Sequence, residues 1–292
     1  MNQNRWPECV RLCNKQKKRD SWFLNEYSIN PYLGCPFNCA YCYSRSGKYS
    51  TQLNKKLTIK ENAPELLEKA LLRRVKKNQY GIIYFASQEA YPPLEKQTKL
   101  TRNLLEIVLK HKFPVHIGTK STLVLRDLDI LKQIDENAIL PRDLRSKLGR
   151  GTIISFSFST LNNKLAKIFE PGAPSPKDRL NVVKQCKKKG FLVGVNLLPV
   201  LPFLSDSEEN LSEMIKTAKA YGADYVHVGG LTLFGEGKRY YYGILEKHFP
   251  DLLAKYKSLY RIFWAPPKEF QAQLTKKAKK LCKKHKVRMG II

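Results

Sequence analysis

The chain has 292 residues, of which 42% are hydrophobic and 11% aromatic, so it can bury a sizeable core in one large domain or two small ones. Its 53 lysines and arginines outnumber its 25 aspartates and glutamates, which gives a formal net charge of +28. That charge favours polyanionic partners such as DNA or RNA; the alternative is a lysine-rich surface that serves solubility. A membrane span is not expected, since no apolar run reaches about eighteen residues. The seven cysteines and the absence of a secretory signal pattern favour the cytoplasm.

From about residue 27, short apolar runs alternate along the chain with amphipathic helical patterns. The first strand is predicted within YSINPYLG, and five more at 81–87, 114–121, 151–160, 191–200 and 224–230. Helical patterns lie between them, at 62–77, 100–112, 125–134, 176–190 and 207–222. Six strands separated by helices predict βαβ units and a parallel sheet with helices on its outer face. The sequence therefore indicates the α/β class, with the sheet curved into a barrel or partial barrel.

The composition divides the chain into three parts. A basic N-terminal extension, a core of strands and helices, and a basic C-terminal region rich in aromatic residues and lysine are predicted at 1–26, 27–235 and 236–292. From Lys255 onward there are twelve lysines or arginines and one acidic residue, Glu269. A helix is predicted there, with an apolar face formed by Leu274, Ala278, Leu281 and Cys282. This helix can close the open side of the barrel, bind a phosphate backbone, or do both.

Three of the seven cysteines stand close together in GCPFNCAYCY, with the spacing Cys35-x3-Cys39-x2-Cys42. A structural zinc site needs four protein ligands, and neither a second cysteine pair nor a nearby histidine completes one. Closely spaced thiolates also hold iron–sulfur clusters. Three cysteines can hold a cubane cluster and leave one iron open to an outside ligand, so this loop predicts a reactive cluster.

Polar residues follow the predicted strands at the points where these strands end. They include Gln88, Glu89, Thr119, Lys120, Ser157, Ser159 and Asn196. Ligands bind at the carboxyl ends of the strands in parallel α/β folds, so these residues predict one binding site at the mouth of the barrel.

The loop CPFNCAYCY resembles the signature of the radical S-adenosylmethionine (SAM) superfamily. Together with GTKSTLVLRDLDIL, EPGAPSPKDRL and LPVLPFLSDSEENL, it is similar to the family of spore photoproduct lyase and its relatives over about residues 28–235. The resemblance implies a partial (β/α)6 TIM-like barrel of parallel strands, here with a basic helical C-terminal extension. It also implies a [4Fe-4S] cluster on Cys35, Cys39 and Cys42, S-adenosylmethionine as the second cofactor, and an external electron donor such as ferredoxin or flavodoxin.

By the same resemblance, the cluster reduces S-adenosylmethionine, and the 5′-deoxyadenosyl radical that results abstracts hydrogen from a substrate. The residues that it places near S-adenosylmethionine are Tyr41, Gln88, Glu89, Lys120, Ser157 and Asn196. Relatives carry an aspartate followed by proline where this chain has Glu89 and Ala90, which suggests a shifted contact. A lysine opposite the carboxylate and a carboxylate opposite the ammonium suit a zwitterionic ligand.

Spore photoproduct lyase needs a cysteine near the end of the second strand, and Ala86 stands at the matching position. We therefore do not expect photoproduct repair, although the two loop tyrosines, Tyr41 and Tyr43, are present. Cys186 is expected in the core, and Cys282 is expected to be structural or incidental. Cys9 and Cys13, one helical turn apart, could form a second thiol site.

The segment EPGAPSPKDRL reads as a connection between a strand and a helix. Arg179 is assigned a structural role within it, and the role of Glu170 is left open.

Three hypotheses for the function remain. The first is a radical SAM enzyme that acts on nucleic acid, in repair or modification. The second is a radical SAM enzyme that acts on a small molecule, a peptide or a protein, and the third is a non-catalytic iron–sulfur or nucleic-acid-binding protein. Glu89, Lys120 and the pocket serines argue against the third, because a simple binding protein has no need of them.

Overall fold

The structure is a computed structural model that describes residues 12–46, 57–85 and 88–292. Its strands are β1 Asn14–Lys15, β2 Asn25–Ile29, β3 Tyr32–Leu33, β4 Thr58–Ile59, β5 Ile82–Phe85, β6 Val115–Thr119, β7 Thr152–Phe158, β8 Leu192–Val200, β9 Tyr225–Gly230 and β10 Arg288–Met289.

The α-helices lie between and after these strands. They are α1 Ala63–Lys76, α2 Glu95–Thr98, α3 Leu100–Lys110, α4 Leu128–Asn137, α5 Arg142–Leu148, α6 Asn163–Phe169, α7 Pro176–Lys188, α8 Glu208–Ala220, α9 Gly235–His248, α10 Pro250–Leu259 and α11 Lys268–Lys284. Short 3₁₀ turns occupy Tyr43–Arg45 and Thr122–Asp127.

Eight of the strands form one sheet in the order β1-β2-β5-β6-β7-β8-β9-β10. The six predicted strands are β2 and β5 to β9, and each pairs with its neighbour in parallel. The prediction of an α/β partial barrel is therefore confirmed. At the two edges, β1 adds an antiparallel strand beside β2 and β10 adds a parallel strand beside β9.

The central strands are long runs of β-branched and aromatic residues because both of their faces are buried. In β7, for example, Ile154, Phe156 and Phe158 are all fully buried. The helices bury one stripe each against the sheet, as α3 does with Leu104, Leu105 and Val108. The parallel strands thereby bring all of their carboxyl ends to one side, which we call the mouth.

The C-terminal helix α11 buries the four residues of its predicted apolar face, Leu274, Ala278, Leu281 and Cys282. It packs against β9 and α8, and the chain then returns to the sheet as β10. These contacts make α11 the crossover helix between the parallel strands β9 and β10. The predicted closure of the open side of the barrel and the binding of a phosphate backbone stay predictions. The division into 1–26, 27–235 and 236–292 stays a prediction. Among the described residues, no helix is long and apolar enough to cross a membrane.

Several elements have no counterpart in the sequence prediction, among them β1, β10, α2, α9 and α10. The two-residue strands β3 and β4 pair with each other beside the cysteines, and α6 precedes the segment EPGAP. The stretch 135–150, which reads as an insertion, contains the short helix α5. The predicted strand 81–87 is observed as Ile82–Phe85, while residues 86 and 87 lie outside the described part of the chain.

Candidate active site

The cysteine loop, residues 34–42, runs from the end of β3 to the 3₁₀ turn at Tyr43–Arg45. Two residues in it have left-handed backbone conformations, Gly34 with φ of 88° and Asn38 with φ of 51°. Glycine adopts this conformation freely and asparagine tolerates it better than most residues. The loop can therefore turn sharply on both sides of Cys35 without a bulky side chain in the way.

A cavity of about 320 Å³ lies at the mouth, and we call it the mouth cavity. All three loop cysteines line it, together with polar residues that follow β5, β6 and β7. The lining residues are Cys35, Phe37, Cys39, Tyr41, Cys42, Tyr43, Ser44, Tyr84, Gln88, Glu89, Gly118, Thr119, Lys120, Ser157, Leu198, Pro199, Gly230, Leu231 and Thr232. The structure thus brings together the three cysteines predicted to hold the cluster and five of the six residues predicted to contact S-adenosylmethionine.

The proline segment, residues 170–174, holds the cysteine loop from the outside. The amide of Gly172 donates to the carbonyl of Phe37 at 3.0 Å, and the amide of Ala40 donates to the carbonyl of Phe169 at 2.8 Å. A Cβ atom on Gly172 would lie 2.3 Å from the carbonyl oxygen of Pro36. Only glycine lets the two backbones approach this closely.

A second anchor follows the loop. The guanidinium of Arg45 donates to the carbonyls of Cys39 at 2.8 Å and Asn38 at 3.0 Å, and it stacks 3.9 Å from the ring centroid of Tyr240 on α9. Ser46 accepts the Gly237 amide at 2.8 Å. Both ends of the loop are therefore fixed to distant parts of the chain.

The carboxylate of Glu170 lies beneath the loop and is buried. It accepts hydrogen bonds from the Tyr41 hydroxyl, from the Ser159 hydroxyl at 2.9 Å, and from Arg179, with which it forms a buried ion pair. Burial alone raises the pKa of Glu170, but the Arg179 guanidinium and the Lys120 ammonium hold this pKa below its usual value. Arg179 also donates to the carbonyl of Ser157 at 2.5 Å, which fits its predicted structural role.

Glu89 joins the connections that follow β5 and β6. Its carboxylate accepts the Thr119 hydroxyl at 2.5 Å and the amides of Lys120 and Tyr91 at 3.0 Å each. Burial raises the pKa of Glu89, and these hydrogen bonds oppose the rise. A carboxylate has about four acceptor positions, so one position stays open after these three bonds.

Lys120 and Gln88 carry the polar groups of the mouth cavity that lack a protein partner. No side-chain hydrogen bond or ion pair in the described residues involves the Lys120 ammonium, which lies 5.6 Å from the ring centroid of Tyr41. Burial lowers the pKa of Lys120, but Cys39, Glu170 and Glu89 together raise it above its usual value. Among residues 12–46, 57–85 and 88–292, the buried Oε1 atom of Gln88 has no hydrogen-bond partner.

Ser157 and Asn196 are register partners on β7 and β8, yet only Ser157 lines the mouth cavity. The side chain of Asn196 is buried and pairs with Nδ1 of His227 at 3.1 Å. The structure therefore does not bring Asn196 to the cavity, and its predicted contact with the cofactor stays a prediction.

The other residues singled out in the sequence fall into two groups. Cys186 and Cys282 are buried in the hydrophobic core, in agreement with their structural assignments, and Cys13 is buried there too. Cys9 and Ala86 lie outside the described residues, so the idea of a second thiol pair and the comparison at Ala86 rest on the sequence alone.

Burial raises the pKa of the Cys35 and Cys39 thiols to about 12. A bound cation reverses this effect, because a coordinating thiol is deprotonated. Within the described part of the chain, no three His, Cys, Asp or Glu side chains already lie close enough to share a metal ion. The thiols face one cavity, and a shared cluster requires them to turn about their Cα–Cβ bonds.

The fold and the site define an α/β protein whose parallel partial barrel carries three cysteines and a cavity at its mouth. Residues 29–215 match the family model described as the Radical SAM superfamily. This match covers more than half of the chain, and the protein belongs to the radical SAM superfamily. Members of this family use a [4Fe-4S] cluster and S-adenosylmethionine, and they need an electron donor.

Similar proteins come from distant organisms. The chain is 29% identical over 234 residues to an uncharacterized protein of Methanocaldococcus jannaschii, with 77% of this chain and 77% of that protein covered. It is 26% identical over 267 residues to an uncharacterized protein of Mycobacterium tuberculosis, with 89% of this chain and 75% of that protein covered.

Among solved structures, a mutant of spore photoproduct lyase matches with a TM-score of 0.67 at 17% identity, over 93% of this chain and 78% of that chain. Another mutant, with bound AdoMet and dinucleoside spore photoproduct, matches with a TM-score of 0.63 at 17% identity, over 92% of this chain and 76% of that chain. These matches confirm the predicted kinship in fold with spore photoproduct lyase.

The residues at the mouth fit the family's cofactors. Three closely spaced thiols suit an iron–sulfur cluster with one open iron. The orphaned Oε1 atom of Gln88 and the unpartnered Lys120 ammonium suit a ligand that carries both an ammonium and a carboxylate.

Sequence reasoning missed the residues that hold the loop, above all Gly172, Arg45 and Ser46. Their contacts join parts of the chain that lie far apart in the sequence, and no local pattern reveals such pairs.

Proposed function

We propose that the protein is a radical SAM enzyme whose cluster is held by Cys35, Cys39 and Cys42 and whose S-adenosylmethionine occupies the mouth cavity. One observation carries this proposal. The three thiols share a single cavity with a buried acceptor, Gln88, and a cation, Lys120, that have no hydrogen-bond partner in the part of the chain that the structure describes. Buried polar groups of a folded protein are normally paired, so such orphans indicate a ligand.

When bound, the two cofactors supply one-electron cleavage of a sulfonium and the hydrogen abstraction that follows. The protein's own residues bind S-adenosylmethionine and orient it in the cavity. Lys120 binds the carboxylate of S-adenosylmethionine, while Gln88 Oε1 and the open acceptor position of Glu89 receive its ammonium group. Ser157 and the ring of Tyr41 line the remaining wall of the cavity. Asn196 acts indirectly. It pairs with His227 on β9 and thereby supports β8, the strand that lies beside Ser157.

Glu170 and Arg179 act as positioning residues in this proposal. Glu170 accepts the hydroxyl of Tyr41, and Arg179 fixes both Glu170 and the carbonyl of Ser157. One buried ion pair thereby sets the position of the cysteine loop relative to β7.

We further propose nucleic acid as the substrate class. An aromatic loop, residues 261–268, exposes Ile262, Phe263 and Trp264 to solvent at 70, 67 and 60% of their surface. The amide of Leu233 donates to the carbonyl of Trp264 at 2.7 Å, and Leu231 and Thr232 just before it line the mouth cavity. Aromatic side chains on a cationic surface stack unpaired bases, and the chain has a net charge of +28.

A protein of similar fold supports nucleic acid as the substrate class, since a spore photoproduct lyase structure contains a dinucleoside spore photoproduct. The reaction itself is proposed to differ from photoproduct repair, because Ala86 replaces the cysteine that repair requires. A base within a duplex would have to leave the stack to reach the mouth.

The chemistry is tested by anaerobic reconstitution with iron and sulfide, followed by reduction with dithionite in the presence of S-adenosylmethionine. We expect a brown protein that releases methionine and 5′-deoxyadenosine. Cys39→Ala should lose both the colour and the cleavage, whereas Cys282→Ala, in the core, should keep them. A wild-type protein that binds no iron contradicts the proposal.

The substrate class is tested by binding of labelled single-stranded DNA and RNA at several salt concentrations. We expect affinity to fall steeply with salt and to weaken about tenfold in Trp264→Ala, because stacking of one base contributes about 1–3 kcal/mol. Leu72→Ala, an exposed leucine on α1, is the matched control. Absent or salt-insensitive binding, together with label transfer to a peptide or metabolite fraction, favours the other substrate classes.

A further inference from the structure

A second concave surface lies on the outer side of the cysteine loop, and we call it the outer groove. It encloses about 330 Å³ and is formed by the connections after β5, β6 and α6. Its lining residues are Phe37, Pro93, Lys96, Ser121, Thr122, Leu123, Pro171, Gly172, Ala173 and Pro174.

Phe37 separates the outer groove from the mouth cavity, because its side chain lines both. It lies between Cys35 and Cys39 in the chain. The floor of the groove is therefore the cysteine loop itself, and the hydrogen bond from the Gly172 amide to the Phe37 carbonyl seals the edge. A partner seated in the groove would lie one side chain away from the thiols.

The mouth side of the loop is not open to a second protein during the reaction. S-adenosylmethionine and the substrate both have to occupy that side, next to Lys120 and Gln88. An electron that reaches the cluster while these ligands are bound has to come from a side of the cysteine loop other than the mouth. Electron transfer slows steeply with distance, and the outer groove approaches the loop from the opposite side of Phe37.

The surface of the groove suits a transient partner. Its walls consist mostly of small or conformationally rigid residues, among them Pro93, Pro171 and Pro174. Lys96 is the one charged residue of the lining, and it is exposed.

The acidic side chains nearest to the groove in the chain are already engaged. Glu95 is buried against Arg126, Glu170 is buried against Arg179, and Asp178 accepts the Ser175 hydroxyl at 2.6 Å. The exposed charge at the rim is therefore positive, as is the whole chain, and attracts an acidic protein.

We propose that the outer groove is the docking site of the electron donor, an acidic one-electron carrier protein of the flavodoxin or ferredoxin type. The donor loses one electron, the cluster gains it through the loop at Phe37, and no proton or atom is transferred. This inference rests on the proposed position of the cluster at Cys35, Cys39 and Cys42. It does not depend on the class of substrate.

The test compares two reductants on the cluster-loaded protein, reduced flavodoxin and dithionite. Two variants change the groove, Lys96→Glu by reversal of the exposed charge and Ala173→Glu by a carboxylate in the wall. Lys216→Glu, at an exposed lysine on α8, makes the same change of charge elsewhere. Cluster reduction is followed by the loss of visible absorption, without turnover of S-adenosylmethionine.

We expect reduction by flavodoxin to slow about tenfold or more in both groove variants, since a reversed charge in a small interface weakens association strongly. Reduction by dithionite should be unchanged in them, and Lys216→Glu should match the wild type with both reductants. Flavodoxin rates that stay at the wild-type level in both groove variants overturn the inference.

Failure of the proposed function gives a different result. In that case the wild-type protein takes up no cluster, and the docking site is then tested by calorimetric titration of the protein with flavodoxin. Binding that is lost in Lys96→Glu supports the groove, and binding that is unaffected overturns it.

Discussion

The mouth of the barrel and its interior both contain buried polar side chains, but these are satisfied in different ways. In the interior, the ring of His116 contacts the carbonyl of Phe23 at 2.9 Å and the hydroxyl of Ser155 at 2.5 Å, and Ser155 in turn contacts the Tyr225 hydroxyl at 2.6 Å. At the mouth, Gln88 and Lys120 keep groups without protein partners.

Among the described residues, buried atoms without partners also occur away from the mouth, at Asn25, Tyr91 and Arg179. The mouth differs because its unpartnered groups line a cavity that a ligand can enter. A buried polar group that is paired within the protein lowers the cost of its own burial. A group without a partner keeps that cost until a ligand relieves it. Asn196 belongs to the paired interior with His227, although it follows the same sequence pattern as Lys120.

The largest expected effect concerns the buried pair that joins the two regions. Arg179→Met leaves the Glu170 carboxylate buried without its main partner, and we expect the free energy of unfolding to fall by about 3–5 kcal/mol. Denaturant titration of the metal-free protein measures it. The double variant Arg179→Met with Glu170→Gln should recover part of the loss, and no recovery would mean that the pair is not the cause.

The next effect tests the mouth directly. Lys120→Met should weaken binding of S-adenosylmethionine to the cluster-loaded protein about 10- to 100-fold, because a charge-assisted hydrogen bond contributes about 1.5–3 kcal/mol. Stability of the metal-free protein should fall much less than in Arg179→Met, since among the described residues the ammonium makes no hydrogen bond and acts on Glu170 and Glu89 only through space. Equilibrium dialysis and thermal unfolding report the two quantities, with Lys184→Met on α7 as the control. A loss of stability without a loss of affinity would break the distinction between the two regions.

The buried His116 in the interior of the barrel should make the stability of the protein depend on pH. Burial lowers the pKa of His116 to about 3, whereas the unfolded chain has the ordinary value near 6.5. The unfolded state therefore binds more protons between these two values. The contribution of a neutral His116 is complete above pH 6.5 and is lost as the pH falls towards 3, by about 1.4 kcal/mol per pH unit.

Unfolding titrations between pH 7 and pH 5 test this slope. His116→Gln should reduce the slope of the free energy of unfolding against pH by the contribution of one bound proton. The control His248→Gln, at an exposed histidine, should leave this slope unchanged. An equal slope in the wild type and in His116→Gln would show that His116 is not held neutral.

The smallest expected effect tests whether Asn196 contacts the cofactor or only the interior of the barrel. Asn196→Ala should lower the free energy of unfolding by about 1 kcal/mol through the loss of one buried hydrogen bond. Binding of S-adenosylmethionine should change less than in Lys120→Met, because the side chain does not line the mouth cavity. An affinity loss as large as that of Lys120→Met would assign Asn196 to the cofactor, as the sequence suggests.

Much of the architecture could be predicted because its signals are local. Apolar strands alternate with amphipathic helices, and three cysteines with fixed spacing identify the loop. Ser157 and Asn196 are register partners and look equivalent in sequence, and only the packing of His227 from β9 against Asn196 separates their roles. The contacts of Gly172 and Arg45 with the cysteine loop depend on how distant segments meet, and no periodicity encodes them.

The ion pair and the proline segment also determine when the cysteine loop takes its shape. Tyr41 and its partner Glu170 are 129 positions apart, so the hydroxyl has no partner until most of the barrel has been synthesised. Contacts between such distant residues form late, because the loss of chain entropy has to be met first. The cysteine loop is therefore completed only after the segment that carries Glu170 has packed against it, and a metal cluster on its thiols would be assembled within a folded barrel.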